Sequence, residues 1–242
     1  MRIIIIRHGD PDNPHQTLTP AGFKEVEALG EYLKDLEYTK VFCSPLPRAK
    51  ITCNAVLKYH NDEPAILDWL QEFSYKINVP YKKEQNLTWD LYPSYFKNND
   101  NFYLRDEGFL QDPCFKDTNV KEKYEEVISS FDNILKEYGY ERDGHIYKVN
   151  KENKDTLVFF CHLGMMSLLT SHLTDISYMS LVNSFFAPPS SITTFISEER
   201  QEGIAQFRLQ GYGDISHLSI KGLKPSYLGR FAEIYHSDDR HE

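Results

Sequence analysis

Met1-Arg-Ile-Ile-Ile-Ile-Arg-His-Gly-Asp10 is the stretch that decides the fold. Its four consecutive isoleucines are β-branched and wholly apolar, and they are too few for an independent helix, so they predict a buried strand over residues 2–6. Arg7, His8 and Gly9 follow at once, and the carboxyl end of such a strand is where α/β sheets keep their ligand crevice. On its own, this tripeptide is more often a basic strand end with a solvated histidine. Its meaning therefore depends on the rest of the chain.

The patterns that follow predict an α/β fold. Strands are indicated by short apolar runs, and helices by apolar residues that recur at a spacing of three or four. The predicted strands are residues 2–6, 40–44, 65–67 and 156–161, with an antiparallel pair at 192–196 and 204–210. The predicted helices open with Thr19-Pro20, Pro45-Leu46-Pro47-Arg48, Leu163 and Val120, the last of them closing at Gly139. Together these elements predict a three-layer α/β/α sandwich with a mostly parallel central sheet, in a single domain over residues 1–242.

The first helix is predicted in more detail than the others. Thr19 is its expected N-cap, and Pro20 suits the first helical position. One apolar stripe at helical spacing is expected to pack on the sheet: Phe23, Val26, Leu29, Leu33 and Leu36. A structural role is therefore predicted for this helix.

Residues 86–119 break the alternation of strands and helices. They contain eight aromatic residues among prolines and charges, with no clean period. Linkers are rarely this aromatic, so we predict an inserted cap segment over 86–119 whose aromatic rings form an accessory core, the walls of a ligand site, or both. The charged residues 236–242 are predicted to form a flexible tail.

The charge balance limits the partners that this chain can bind. It has 27 Lys and Arg against 36 Asp and Glu, which gives a net charge of -9 at pH 7. This balance argues against a nucleic-acid surface and against binding to an anionic membrane. An anionic substrate would therefore need a local basic cluster. We recognise no leader before the first strand and no apolar run long enough to cross a bilayer, so we expect a cytoplasmic location.

The cysteines indicate neither a redox site nor a metal site. They lack C-x-x-C spacing, and we assign none of them to a disulfide, a zinc site or a nucleophile: Cys43, Cys53, Cys114 and Cys161. We predict no metal ligand and no cofactor.

A second strand end carries ligand-binding residue types. His162 comes directly after the apolar run that ends at Cys161, and Gly164 follows in the turn to a helix. Arg48 lies in the first turn of another predicted helix, where a cation opposes the helix dipole unless an anion lies between them. Phosphoryl transfer needs a nucleophile surrounded by dense positive charge. Arg7, Arg48 and His162 could supply that charge around His8.

The order of these motifs resembles that of the histidine phosphatase superfamily, the phosphoglycerate-mutase-like family. The motifs are Arg7-His8-Gly9, Leu18-Thr19-Pro20-x-Gly22, Ser44-Pro45-x-x-Arg48-Ala49, an acidic segment at Glu72, and His162-x-Gly164. The resemblance covers most of residues 1–75 and 156–218.

The resemblance implies a role for each matching residue. His8 would take the phosphoryl group and form a phosphohistidine. Glu72 would protonate the leaving alcohol, with Asp68 as the reserve candidate. The phosphate would be bound by Arg7, Arg48, His162 and the backbone N–H groups that begin at Gly164. His162 also counts among the catalytic residues. The implied activity is that of a phosphoric monoester hydrolase.

Three alternatives stay open at this point. The long internal motifs of cofactor-dependent phosphoglycerate mutases do not occur, which favours hydrolysis of a small phosphorylated metabolite over mutase-type transfer. A metal-dependent hydrolase is the second alternative, with four candidate ligands: His8, Asp10, Asp12 and His15. The third is a non-catalytic module that binds a phosphorylated ligand. The expected partner is a small-molecule phosphomonoester, and a homodimer is left open.

Overall fold

A computed structural model describes residues 1–237 and 240–241 of the chain. Residues 238, 239 and 242 of the predicted tail, 236–242, lie outside the described residues, so the flexibility of the tail stays a prediction. The strands are β1 (Arg2–Arg7), β2 (Pro11–Asp12), β3 (Thr17–Leu18), β4 (Lys40–Cys43), β5 (Ala65–Ile66), β6 (Lys76–Ile77), β7 (Asn86–Leu87), β8 (Tyr140–Asp143), β9 (Ile146–Val149), β10 (Thr156–Cys161), β11 (Ile192–Gln201) and β12 (Ile204–Asp214).

The helices alternate with these strands over most of the chain. They are α1 (Pro20–Tyr32), α2 (Pro47–Leu57), α3 (Pro93–Lys97), α4 (Val120–Glu137), α5 (Leu163–Thr174), α6 (Tyr178–Ser184) and α7 (Ser216–Ile220). Short 3₁₀ helices cover Asp68–Leu70, Asp100–Tyr103, Asp106–Gln111 and Pro113–Phe115. Among the described residues, no helix combines the length and the apolar composition that crossing a bilayer requires.

One large sheet forms the centre of the fold, in the order β5-β4-β10-β1-β11-β12-β9-β8. The neighbours from β5 to β1 pair in parallel, and the remaining neighbours pair antiparallel. Only β11 and β9 run against β1, so six of the eight strands that the structure describes in this sheet point in one direction. The predicted α/β class and mostly parallel sheet are confirmed.

The side chains of β1 show why the sheet carries helices on both faces. Successive side chains of a strand point to opposite faces. Ile3 and Ile5 belong to the hydrophobic cluster that includes the apolar faces of α4 and α5, whereas Ile4 and Ile6 belong to the cluster of α1 and α2. All four isoleucines are at most 4% exposed. The unbroken apolar run therefore fills two cores at once, and the predicted three-layer sandwich is confirmed.

Helix α1 begins as predicted, and of its predicted stripe Val26, Leu29 and Leu33 are buried whereas Phe23 is not. Thr19 Oγ1 accepts from Gly22 N at 3.0 Å, and Pro20 is the first helical residue. Phe23, predicted on the buried stripe, is 48% exposed, and this prediction was wrong. The buried face runs through Gly22, where an added Cβ would lie 2.2 Å from the Asp10 carbonyl oxygen. This close approach turns the neighbouring Phe23 outward.

The strand registers bring the candidate site residues to one edge of the sheet. Arg7 of β1 pairs with Cys161 of β10, and Phe160 of β10 pairs with Cys43 of β4. The residues that follow each strand therefore leave the sheet side by side. These residues are His8, Ser44 and His162.

The aromatic stretch 86–119 contains β7, α3 and three 3₁₀ helices, and β7 pairs with β6 to form a small antiparallel ribbon. Phe102, Phe109 and Phe115 are at most 6% exposed. The ring of Phe109 packs edge-on against Tyr124 of α4, with the ring centroids 5.6 Å apart. Most of these rings therefore form an accessory core rather than the walls of a ligand site.

Candidate active site

His8 lies in the turn after β1, and only 3% of its surface is exposed. Its Nδ1 lies 2.7 Å from the carbonyl oxygen of Gly9. Because a carbonyl oxygen can only accept, Nδ1 carries the proton and Nε2 of the neutral ring keeps a free lone pair. Burial, followed by the positive charge of Arg7, holds the pKa of His8 well below its ordinary value. The side chain is thus a neutral imidazole with one nucleophilic nitrogen at neutral pH.

Arg7, the last residue of β1, is as buried as His8. Its Nη1 donates to the carbonyl oxygens of Ala187, at 2.6 Å, and Leu228, at 3.2 Å. Burial lowers the pKa of Arg7 to about 10, and the negative charge of Glu72 opposes that shift. The guanidinium therefore stays charged at neutral pH and supplies positive charge beside the nucleophile.

Arg48 occupies the first turn of α2 and is half-buried. Burial lowers the pKa of this guanidinium, and the nearby charge of Glu72 again opposes the shift. Thr52, one turn later, donates to the Arg48 carbonyl at 2.8 Å and accepts from Gly9 N at 3.0 Å. The start of α2 is therefore tied to the turn that holds His8. The sequence did not indicate this role of Thr52, because its two partners lie in separate motifs.

His162 is fully buried, directly before α5. Its ring centroid lies 5.0 Å from that of His8, with the ring planes at 56°. Nε2 forms a hydrogen bond of 2.8 Å with Ser44 Oγ, whereas Nδ1 has no partner within the described part of the chain. Burial, together with the positive charges of Arg48 and Arg7, holds the pKa of His162 well below its ordinary value. Ser44 belongs to a motif that the sequence singled out, but its contact with His162 spans 118 residues and could not be inferred there.

Glu72 lies at the N-terminus of α5, although it belongs to a distant segment. Its Oε1 accepts from Gly164 N at 2.8 Å and from Met165 N at 3.3 Å. Burial raises the pKa of Glu72, while the charges of Arg7 and Arg48 act in the opposite direction. A carboxyl group that keeps its proton above its ordinary range is suited to donate it.

These contacts bear on two predictions from the acidic and glycine motifs. The N–H of Gly164 donates to Glu72, and a Cβ at Gly164 would lie 2.8 Å from the same oxygen. Gly164 therefore leaves space for Glu72 and orients it, and its assignment as a phosphate ligand stays a prediction. Asp68 is exposed and lies outside the cavity that Glu72 and His8 share. The structure brings Glu72, and not the reserve candidate, to the nucleophile.

Four of the catalytic candidates, Arg7, His8, Arg48 and Glu72, line one cavity of about 470 Å³. His162, which is fully buried, is not among its lining residues. The ribbon at the start of the aromatic stretch contributes Leu87, Trp89 and Asp90, and the chain from 228 to 231 supplies most of the remaining wall. Residues 228–231 were not predicted to belong to the site, because they carry neither a helical nor a strand period.

Residues 3–210 match the family described as the Histidine phosphatase superfamily (branch 1). The chain belongs to this superfamily. No curated protein shows a significant match to it by sequence.

Solved structures show the histidine phosphatase fold in relatives of low sequence identity. Phosphoserine phosphatase from Entamoeba histolytica, a mutant solved with phosphoserine, has a TM-score of 0.59 at 18% identity, over 90% of this chain and 98% of that chain. Alpha-ribazole phosphatase from Shigella flexneri has a TM-score of 0.54 at 19% identity, over 89% and 97%. Mycobacterial glucosyl-3-phosphoglycerate phosphatase has a TM-score of 0.55 at 16% identity, over 87% and 98%. The predicted relation to the phosphoglycerate-mutase-like family is confirmed.

The acidic side chains of the loop after His8 form hydrogen bonds and an ion pair with other residues of the chain. Asp10 accepts from the hydroxyls of Thr19 and Ser226, and Asp12 pairs with the exposed His15 at 2.7 Å. Across the described residues, the donor atoms of the four candidate metal ligands do not gather at one point. The partners of Asp10, Asp12 and His15 explain these three residues as structural parts of the loop.

Glu25 of α1 is a buried acid that the sequence analysis did not single out. It is 2% exposed; its Oε2 accepts from Asp10 N at 2.8 Å, and no described residue partners Oε1. Burial raises the pKa of Glu25 from 4.5 to about 7. Because the folded-state pKa is raised, the stability that the protonated group contributes is complete below pH 4.5 and is lost as the pH rises through 7.

We expect Glu25→Gln to remove this pH dependence. Relative to the wild type, the variant should gain roughly 2 kcal/mol in the free energy of unfolding between pH 5 and pH 8, since glutamine does not ionise. Denaturant titrations at both pH values measure this change. Glu27→Gln, an exposed site in the same helix, is the control and should show no such trend. A Glu25→Gln effect that is equal at both pH values would contradict the assignment.

Proposed function

We propose that the protein hydrolyses small phosphomonoesters through a phosphohistidine on His8. The observation that carries this proposal is the hydrogen bond between His8 Nδ1 and the Gly9 carbonyl, which leaves Nε2 as the free nucleophile. The same cavity is lined by the guanidinium groups of Arg7 and Arg48 and by Glu72, a carboxyl group with a raised pKa. Phosphoryl transfer needs this combination of nucleophile, positive charge and proton donor.

In the first half-reaction, His8 Nε2 attacks the phosphorus and forms the N–P bond as the bond to the ester oxygen breaks. Glu72 gives its proton to the departing oxygen, so the alcohol leaves neutral. Arg7 and Arg48 stabilise the negative charge on the equatorial phosphoryl oxygens. His162 has an unpartnered Nδ1 beside His8, which makes it a further hydrogen-bonding partner for the phosphoryl group.

In the second half-reaction, a water molecule attacks the phosphorus and the N–P bond breaks. The carboxylate of Glu72 takes a proton from that water, and the electron pair of the N–P bond returns to Nε2 of His8. Inorganic phosphate leaves, and both side chains are back in their starting states.

The relatives support hydrolysis over transfer to a second metabolite. The three structural neighbours described above are phosphatases by name, for phosphoserine, alpha-ribazole phosphate and glucosyl-3-phosphoglycerate. Their alcohol portions differ, so they support the reaction class and not one substrate. We further propose that the protein acts in the cytoplasm on a small molecule, in keeping with its net charge of -9.

The test is release of inorganic phosphate from a panel of phosphosugars, phosphoglycerates, nucleotides and phosphopeptides, with and without EDTA. We expect turnover of at least one small phosphomonoester and no loss in EDTA. Loss of activity in EDTA would indicate a metal-dependent hydrolase instead. Interconversion of phosphoglycerates without phosphate release would indicate a mutase, and ligand binding without any turnover would indicate a binding module.

We expect Glu72→Gln to affect substrates according to their leaving groups. The kcat/KM for an alkyl phosphate should fall about 100-fold or more, whereas an activated aryl phosphate should lose only a few-fold, because its leaving oxygen needs no proton. In the wild type, alkyl ester hydrolysis should decline as the pH rises through the raised pKa of Glu72, and this decline should vanish in the variant. Asp68→Asn, an exposed site outside the cavity, is the control. Equal losses for both substrates would contradict proton donation by Glu72.

A further inference from the structure

Residues 226–231 form a segment that we call the C-terminal strap. It lies past residue 210, where the match to the superfamily ends. Ser226 Oγ donates to the carboxylate of Asp10 and accepts from Leu228 N at 3.1 Å. The Leu228 carbonyl accepts from Arg7 at 3.2 Å. The strap is therefore fastened on both sides of His8.

Gly229 allows the strap to pass close over the site. Its φ of +97° lies in the region that glycine adopts without strain. A Cβ at this position would point at the guanidinium of Arg7 and lie 3.2 Å from Leu163 Cδ2. The next two residues, Arg230 and Phe231, line the cavity.

The wall contributed by the strap is apolar and uncovered. Phe231 is 63% exposed and Leu228 is 39% exposed, although both line the cavity. Trp89, from the aromatic stretch, lines the same cavity and is half-buried. Exposed apolar groups at the mouth of a polar site are typical of surfaces that a ligand covers.

The charged groups on this part of the cavity already have partners. Asp90 pairs with Lys82 at 3.3 Å. Arg230 pairs with Glu233, and its guanidinium lies over the rings of Tyr227, at 5.3 Å, and Phe186, at 5.8 Å. A second anionic group on a substrate would be repelled by the Asp90 carboxylate and would compete with Glu233 for Arg230. The wall therefore favours an uncharged alcohol portion.

We propose that Phe231 and Trp89 select phosphomonoesters whose alcohol portion is an uncharged ring. This inference rests on the proposed function only in placing the phosphate beside Arg7 and His8. With the phosphate there, the alcohol portion extends toward the strap and the aromatic ribbon. A ring then covers apolar surface that a short, charged alcohol portion leaves in water.

The first test measures binding with two non-hydrolysable probes, phenylphosphonate and methylphosphonate, by titration calorimetry. We expect the wild type to bind phenylphosphonate about tenfold more tightly, the size of effect that one aromatic contact gives. Phe231→Ala should remove most of this advantage and leave methylphosphonate binding within twofold. Phe231→Tyr, which keeps the ring, should restore it. Tyr235→Ala, a 94% exposed aromatic site four residues later, is the matched control.

Since neither probe is hydrolysed, the binding result does not depend on turnover. Equal affinity of the wild type for both probes, or equal losses for both in Phe231→Ala, would overturn the proposal. If neither probe binds, the cavity is not a phosphate site and the inference also fails. A protein that binds phenylphosphonate preferentially but hydrolyses nothing would support this inference and refute the proposed function.

The second test compares kcat/KM for glucose 6-phosphate, glycerol 2-phosphate and 3-phosphoglycerate. We expect the ring-bearing ester to lead, and Phe231→Ala to lower its kcat/KM about tenfold while glycerol 2-phosphate changes less than twofold. A wild-type preference for 3-phosphoglycerate, which carries a second anionic group, would overturn the proposal.

Discussion

His8→Ala is expected to lower kcat/KM by about 10⁵-fold or more for every phosphomonoester that the wild type hydrolyses. Removal of the nucleophile in covalent catalysis leaves only the contribution of binding and charge stabilisation. The fold should survive, because His8 lies in the turn after β1 and its main contacts with the neighbouring strands are made by the backbone. His8 N donates to the Cys161 carbonyl, and the His8 carbonyl accepts from Ser190 N.

The result is measured by steady-state kinetics and by rapid quench followed by mass spectrometry. The wild type should show one added phosphoryl group on His8 during turnover, and the variant should show none. His145→Ala, at an exposed position of the β8–β9 hairpin, is the matched control and should leave both readouts unchanged. An active His8→Ala protein would end the phosphohistidine mechanism.

Arg48→Ala and Arg7→Ala are each expected to cost roughly 3 kcal/mol of transition-state stabilisation, which is about 100-fold in kcat/KM. Both guanidinium groups line the cavity beside His8. Their loss should be as large for an activated aryl phosphate as for an alkyl phosphate, because the phosphoryl oxygens are common to both. This pattern distinguishes them from Glu72.

The two arginines should differ in their effect on stability. Arg7 is 3% exposed and holds two carbonyl oxygens, so Arg7→Ala should also lower Tm, whereas Arg48 is half-buried and its loss should change Tm little. Arg208→Ala, which removes one partner of an exposed ion pair on β12, is the control. Unchanged kcat/KM in Arg7→Ala or Arg48→Ala would remove that residue from the site.

The sequence predicted most of the sheet because those signals are local. Four isoleucines in a row, like the apolar run 156–161, can bury all of their side chains only as a strand that is covered on both faces of a sheet. The long helix from Val120 and the antiparallel pair at 192–196 and 204–210 also follow from short-range periodicity, and all are confirmed. Gly139 lies just after that helix with a φ of +92°, as its predicted role requires.

The sequence predicted the site residues at strand ends but not how they are held. His8, Arg7, Arg48 and His162 stand in short motifs, and parallel strands bring such motifs together. The contacts of Ser44 with His162 and of Glu72 with Gly164 join residues about a hundred positions apart. The periodicity of a sequence does not indicate which distant residues will contact each other. The hydrogen bond from the Gly164 N–H to Glu72 was not predicted for this reason, because only the folded chain reveals it.

The C-terminal strap could not be predicted, because extended backbone that is held in place by side-chain hydrogen bonds has no sequence pattern of its own. The hydrogen bonds of Ser226 and Leu228 go to Asp10 and Arg7, more than 200 residues earlier. Turn and loop signals indicate where such segments occur but not what they cover. Its place in the cavity is a property of the tertiary fold.

The hydroxyl of Thr52 restricts the substitutions that this sequence can accept in α2. It connects the Gly9 N–H with the Arg48 carbonyl, so any shift of α2 carries the nucleophile turn with it. About one turn later in the same helix, Gly30 of α1 lies so close that an added Cβ would be 2.2 Å from the Ala55 carbonyl oxygen.

Evolutionary drift in α2 is therefore restricted at two positions about one turn apart, Thr52 and Ala55. A substitution at Gly30 that pushes the helix outward would alter the spacing of the catalytic groups without touching a substrate. Lys50 and Asn54 face solvent, so substitutions at these two positions should be tolerated. Descendants of this chain should accordingly differ most along that solvent-facing stripe, and compensating pairs of changes should arise where α1 meets α2.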